Sequence, residues 1–317
     1  MYKDKINLLG TDIKRGEHVT LEMEIAKLHN RSSVKIPIII ERSKKDGPVV
    51  LFMAGVHGDE INGVEIVRRI IKEKINKTAM GTVICIPVFN VFGFLNLSRE
   101  FPDGRDLNRV FPGSANGSLA SQFAHQFMKS IVPIVDYVFD YHTGGAARVN
   151  ASQIRCDISD EKSIELAKAF GADFIVNSKS IPKSIRYTLK KHNISALLYE
   201  GGMAKNFDEH IIQSGFDGAK NVLRFLKMRT GPKATDNKSV LVKKSKWIRA
   251  PYSGMFHVKI KNGQWITKKT VLGIITDPYA EFEKKIVAPI DCYVFCVNNF
   301  PIVNRGDAIF HVSLEAE

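Results

Sequence analysis

Val49-Val50-Leu51-Phe52-Met53-Ala54-Gly55-Val56-His57-Gly58-Asp59-Glu60 is the stretch on which the fold turns. Six apolar residues in a row, Val49 to Ala54, have the length and pattern of a strand covered on both faces, as in mostly parallel sheets. Past the turn, Ile61, Val64, Val67 and Ile71 recur at helical spacing, so a helix is predicted from Ile61 to Lys74 with Asp59 and Glu60 at its N-terminus. A His and a Glu three residues apart are thereby delivered to the carboxyl end of a strand, where open α/β sheets place their ligands. An imidazole nitrogen and a carboxylate oxygen so spaced can converge on one metal ion.

Working outward, strand-like runs alternate with helix-like ones from about Val34 to Lys227, the pattern of an α/β fold. Further strands are expected at Val34 to Glu41, Thr82 to Val88, Val135 to Tyr141, Asp173 to Val176 and Ser195 to Tyr199, with Pro37 making the first an edge strand. Helices are expected at Leu119 to Ile131 behind the capping Ser118, Asp160 to Phe170, and Asp208 to Lys227. Asn90 to Ser118, rich in Pro and Gly, reads as a long functional loop. The polar, turn-forming run Arg229 to Lys238 reads as a linker, and short β-like runs broken by turns at Tyr252-Ser253-Gly254, Lys261-Asn262-Gly263 and Asn304 to Asp307 follow it. The expected architecture is a mostly parallel or mixed sheet flanked by helices over residues 1–235, then a smaller all-β domain over 236–317. Ala288-Pro289-Ile290-Asp291 and Val303 to Asp307 resemble the barrel-sandwich of biotinyl and lipoyl carriers, but no Lys stands in a carrier-type Met-Lys-Met context, so the domain is read as structural.

The 317 residues, 44% hydrophobic and 25% charged, suit a soluble protein of one large or two moderate domains. No run reaches the ~18 apolar residues of a membrane span, and Met1 to Lys5 leads into no apolar signal core, so a cytoplasmic location and no membrane partner are expected. A formal charge of +13 favours anionic partners, yet the short clusters at Lys183 to Lys191, Lys243 to Lys246 and Lys284-Lys285 lack interleaved aromatics, so no nucleic acid is expected. Cys85, Cys156, Cys292 and Cys296 read as buried free thiols, the last two on one face of a strand.

Three further segments complete a constellation around His57 and Glu60. In Phe139-Asp140-Tyr141-His142-Thr143-Gly144-Gly145, His142 ends an apolar strand, and two His with one Glu leave a fourth zinc position open, as in hydrolytic zinc sites. Asp140, two residues earlier and so on the same strand face, is placed to orient a ligand imidazole. Asn108-Arg109 joins an amide to a guanidinium fork, a pair suited to a substrate carboxylate; a salt-bridged loop is the plainer alternative. Ala196 to Gly202 is another apolar strand ending in a carboxylate, and Glu200 near an activated water can take its proton and return one to a leaving amine.

Gly55 to Glu60, Ser98-Arg99, Asp106-Leu107-Asn108-Arg109, Asp140-Tyr141-His142-Thr143 and Tyr199-Glu200-Gly201-Gly202, in that order, resemble the succinylglutamate desuccinylase and aspartoacylase family, relatives of the zinc carboxypeptidases. The resemblance implies a zinc carboxypeptidase-like fold, with His57, Glu60 and His142 as zinc ligands, Glu200 as general base, and Asn108 with Arg109 on the substrate carboxylate. It makes Arg99 the arginine that stabilises the oxyanion; because Arg99 to Asp106 is longer than in aspartoacylase itself, Arg105 stands as the alternative. The implied substrate is a small N-acyl amino acid bearing a carboxylate, cleaved at its amide. A peptide-trimming carboxypeptidase and a silent family member are the rival readings, and a homo-oligomer is compatible with the apolar β domain.

Overall fold

The first residues described, in a computed structural model covering 5–231 and 239–317, form a small hairpin, β1 (Ile6–Leu8) and β2 (Thr11–Ile13). Residues 1–4 of the opening and 232–238 of the expected linker lie outside the described residues. There follow β3 (His18–Lys27), β4 (Ser33–Arg42), β5 (Val49–Ala54), α1 (Ile61–Lys72), β6 (Thr82–Ile86), α2 (Val91–Asn96), α3 (Leu119–Ser130), β7 (Tyr137–Gly144) and β8 (Arg148–Cys156). Next come α4 (Glu161–Phe170), β9 (Phe174–Asn177), α5 (Ile185–Lys191), β10 (Ser195–Met203) and α6 (Glu209–Phe225). The C-terminal part is all strand: β11 (Val240–Arg249), β12 (Gly254–Val258), β13 (Trp265–Ile266), β14 (Val271–Thr276), β15 (Glu283–Val287), β16 (Cys292–Asn298), β17 (Ile302–Val303) and β18 (Ala308–Ala316).

Among the described residues one mixed sheet runs in the order β13-β16-β18-β11-β9-β8-β10-β7-β5-β6-β4-β3, and a second, β15-β14-β12-β17, packs beside its C-terminal end. β5 behaves as its apolar run requires. All six residues are buried, with Leu51 and Met53 in one core beneath Phe123 and Phe127 of α3, and Val50, Phe52 and Ala54 in another beneath Ile66 and Ile70 of α1 and Val222 of α6. Past residue 239 the sheet continues: β11 adds to β9 in parallel, and β16 pairs with β8 through Cys296↔Asn150 and Val297↔Val149. Among the described residues no helix is long and apolar enough to cross a membrane.

Several expectations need correction. β4 is not an edge strand, since it pairs with β3 along its length and with β6 at Ile39 to Arg42. Pro37 is tolerated because it lies before that second pairing begins, where only one side of the strand is bonded. Asn90 to Ser118 is not wholly loop, for α2 forms there, capped by the Asn90 side chain accepting from the Gly93 N–H at 2.9 Å. His142 and Glu200 lie inside strands, β7 running on to Gly144 and β10 to Met203. Cys292 and Cys296 are buried free thiols, but they do not share a face: a register shift between Val294 and Cys296 breaks the alternation, leaving Cys292 in the β-domain core and Cys296 against a cavity that His142 and Glu200 also line.

Candidate active site

Sheet order brings the pieces together. β7 lies between β5 and β10 and runs parallel to both, with Ala54 level with Tyr141 and His142 level with Glu200. The carboxyl ends of three neighbouring strands therefore open on one side. α1 is drawn against them because Gly63 has no Cβ: an added one would lie 2.7 Å from the Tyr141 carbonyl oxygen and 2.8 Å from its Cβ. Gly58 does the same for the turn before it, where a Cβ would fall 1.8 Å from the backbone of Gly93 in α2. With helix and turn seated this closely, Glu60 at the N-cap of α1 faces the tip of β7.

Glu60 bridges the two histidines. Its Oε1 is 2.9 Å from His57 Nδ1, its Oε2 is 2.8 Å from His142 Nδ1, and the Thr143 N–H donates to Oε2 at 3.0 Å. One ligand atom from each of the three residues lies within 4.8 Å of the others, and all three are buried. Each remaining ring nitrogen meets a carboxylate, His142 Nε2 at 2.9 Å from Asp140 and His57 Nε2 at 3.1 Å from Asp106. Carboxylates behind imidazoles in this way fix the tautomer and raise ligand basicity. Two nitrogens and a carboxylate oxygen form a donor set that could hold a divalent transition-metal ion.

Burial disfavours charge on all three, yet the mutual field wins. Glu60 and Asp106 lift His57 above the usual 6.5, and Asp140 and Glu60 lift His142 well above it. Despite its own burial, Glu60 is held well below the ordinary carboxylate value by the two imidazoles. Against its burial, Asp106 is likewise lowered by His57 and Arg99.

A cavity of about 510 Å³ opens from this corner. Arg99 lines it, its guanidinium 2.8 Å from Asp106 and 3.2 Å from Glu60 Oε1. Arg105 does not: its side chain turns outward to Asp103 at 3.3 Å. Asn108 Oδ1 accepts from the Ile185 N–H at 2.9 Å at the start of α5, which leaves its amide nitrogen to the cavity that Asn108 and Arg109 both line. Glu200 faces the same space, with one oxygen, Oε2, held by Asn150 Nδ2 at 2.9 Å and by Arg155 at 2.9 Å.

Sequence reasoning missed part of this wall. Asp106 lies within the quoted Asp-Leu-Asn-Arg motif, but nothing in its spacing to His57 signals the contact. Asn150 and Arg155 come from β8, whose Asn, Ser, Gln and Arg residues hide a buried strand. Trp247 and Cys296 reach the cavity from β11 and β16.

The family model described as the succinylglutamate desuccinylase/aspartoacylase catalytic domain matches residues 46–226, more than half of the chain. The chain belongs to that family. It is 26% identical over 298 residues, 87% of this chain and 85% of the other, to the N-alpha-acetyl-L-2,4-diaminobutyric acid deacetylase of Halomonas elongata. Among solved structures, a succinylglutamate desuccinylase/aspartoacylase from Rhodobacter sphaeroides superposes with a TM-score of 0.80 at 24% identity, covering 93% of this chain and 94% of that one. The product-bound ectoine utilization protein EutE (DoeB) from Ruegeria pomeroyi gives 0.82 at 21% identity, covering 94% and 95%. These likenesses share the fold, a mixed sheet with helices and a C-terminal β domain.

Proposed function

We propose that this family member is a zinc-dependent amidohydrolase that cleaves the amide of a small N-acyl amino acid. What carries the reading is the meeting of His57, Glu60 and His142 at the mouth of a cavity that also receives Glu200, Arg99, Asn108 and Arg109. His57, Glu60 and His142 would hold the metal. When bound, zinc supplies the Lewis acidity that makes water nucleophilic at neutral pH and polarises a carbonyl.

The chain's own groups do the rest. The free oxygen of Glu200 takes a proton from the attacking water and returns it to the departing amine. The Arg99 guanidinium, braced by Asp106, donates to the oxyanion of the tetrahedral intermediate; Arg105, turned away to Asp103, is not placed for that part. The Arg109 fork and the Asn108 amide grip the substrate carboxylate and set the scissile bond against the corner. Asp140 and Asp106 hold the ligand imidazoles in register.

A cavity of about 510 Å³, walled on one side by Trp247 and Cys296 of the C-terminal strands, suits an N-acyl amino acid better than a peptide running through the site. The test is a hydrolysis screen over acetyl, succinyl and formyl amino acids, with and without a chelator. Deacylation that chelation abolishes and zinc restores supports the reading. Faster release of C-terminal residues from peptides turns it into a carboxypeptidase, and no hydrolysis of either class refutes it.

A further inference from the structure

Glu200 is held by a strand that has no other part in the chemistry. Both donors to its Oε2 lie on β8: Asn150, 4% exposed, gives an aligned hydrogen bond at 2.9 Å, and Arg155 gives a charge contact at 2.9 Å rather than an aligned hydrogen bond. Oε1 has no hydrogen-bond partner among the described residues. The carboxylate is therefore fixed by one oxygen and offers the other to the cavity. The two donors are themselves secured. The Arg155 carbonyl accepts from Arg186 of α5, and Asn150 pairs in register with Cys296 of β16, so the C-terminal β domain buttresses the strand from the far side.

We infer that Arg155 and Asn150 are positioning residues that set the reactive oxygen of Glu200, and that the C-terminal β domain acts on the reaction by holding β8 in place. The inference rests on the amidohydrolase reading and assigns these residues no contact with the substrate. Its physical basis is reach: a general base works only within hydrogen-bond distance of the proton it takes, and a misplacement of about 1 Å can cost roughly 10²-fold in rate. A glutamate has three side-chain torsions, and without its two anchors Glu200 spreads over rotamers of which few point Oε1 into the cavity.

The experiment uses the full-length, zinc-loaded protein and the variants Arg155→Ala, Arg155→Lys and Asn150→Ala, with metal content and kinetics measured on each. For Arg155→Ala, kcat is expected to fall about 10- to 100-fold with KM within about two-fold and metal stoichiometry unchanged. Added guanidinium ion is expected to recover part of that loss, and Arg155→Lys to fall between parent and Ala. A merely structural role predicts no rescue. Because Asn150 is buried and its Ala variant can fail to fold, the inference stands or falls on Arg155. A rise in KM with kcat preserved makes Arg155 a substrate-binding residue and overturns the inference. A crystal structure of Arg155→Ala decides without any assay: a Glu200 carboxylate unmoved from its parent position overturns the inference even if the parent hydrolyses no N-acyl amino acid, the result that defeats the amidohydrolase reading itself.

Discussion

Three buried imidazoles divide this molecule into two kinds of interior. His57 and His142, 3% and 4% exposed, lie at the strand-end corner, each between two carboxylates. His311, 7% exposed, lies in the seam of the C-terminal strands, stacked on Trp247 at 4.4 Å and 4.5 Å from Phe295, with Nε2 3.0 Å from Ser245 Oγ. Burial acts against charge on all three. At the corner the carboxylates overcome it and the imidazoles are pushed up; in the seam no carboxylate answers, Arg155 adds to the penalty, and His311 is pushed down to about 3. A buried histidine is thus a candidate ligand or a packing ring according to its neighbours, and nothing in its own burial distinguishes the two.

The sharpest way to break that contrast is to remove a corner ring. His142→Ala is expected to lose stoichiometric zinc and at least about 10³-fold in turnover, since two donors remain of three. Elemental analysis of gently purified protein beside an activity assay checks it, and a variant that keeps its metal removes His142 from the ligand set. Next in size is Glu200→Gln, which leaves the corner whole and is expected to keep zinc while losing roughly 10²- to 10⁴-fold in kcat. Near-parental turnover would strike Glu200 from the mechanism.

Asp106→Asn probes the carboxylates behind the rings. Zinc affinity should weaken by about 10- to 100-fold with the fold intact, as read by competition with a chromophoric chelator; unchanged affinity means that the Asp106 contact does not tune His57. The smallest effect belongs to the seam. His311 stays neutral when folded down to about pH 3, whereas in the unfolded chain it protonates near its usual 6.5. Between those values the unfolded state binds the extra proton, so this residue contributes stability above pH 6.5 that is lost as the pH falls toward 3. From pH 7 to pH 5 the loss is about 2 kcal/mol. His311→Phe, which keeps a ring against Trp247, should lose less over that interval in urea titrations, and an equal loss in both proteins would show that His311 is not the acid-sensitive group.

The legible parts of the sequence were those where one local pattern specifies one structure. Val49 to Ala54, apolar on both faces, could only be a doubly covered strand, and Ser118 before the apolar period of Leu119 to Ser130 marked its helix. Where local pattern and tertiary environment disagree, reading failed. β8 is buried yet polar, because Asn150, Ser152 and Gln153 are covered by neighbouring strands and helices that no local window contains. α5 was hidden among lysines, Lys183, Lys190 and Lys191, that hang outward, while Ile185, Thr188 and Leu189 turn in and Arg186 reaches the Arg155 carbonyl. The bulge beside Cys296 moved that thiol to the opposite face, a one-residue shift that alternation counted along the sequence cannot reveal.

By itself the sequence determined the chemical kinds at hand, two imidazoles, carboxylates and arginines at strand ends and in one long connection, and with them the family. Only the tertiary structure decided how they are used. Seating α1 on β7 through Gly63 put Glu60 between His57 and His142, Arg99 rather than Arg105 reached the cavity, and β8 supplied the donors that hold Glu200. The physical reason is range. A side chain's type and its strand or helix are fixed by covalent structure and by neighbours a few residues away, whereas contacts at 2.8 to 3.1 Å between positions 49 to 82 residues apart exist only after sheet order and register are set.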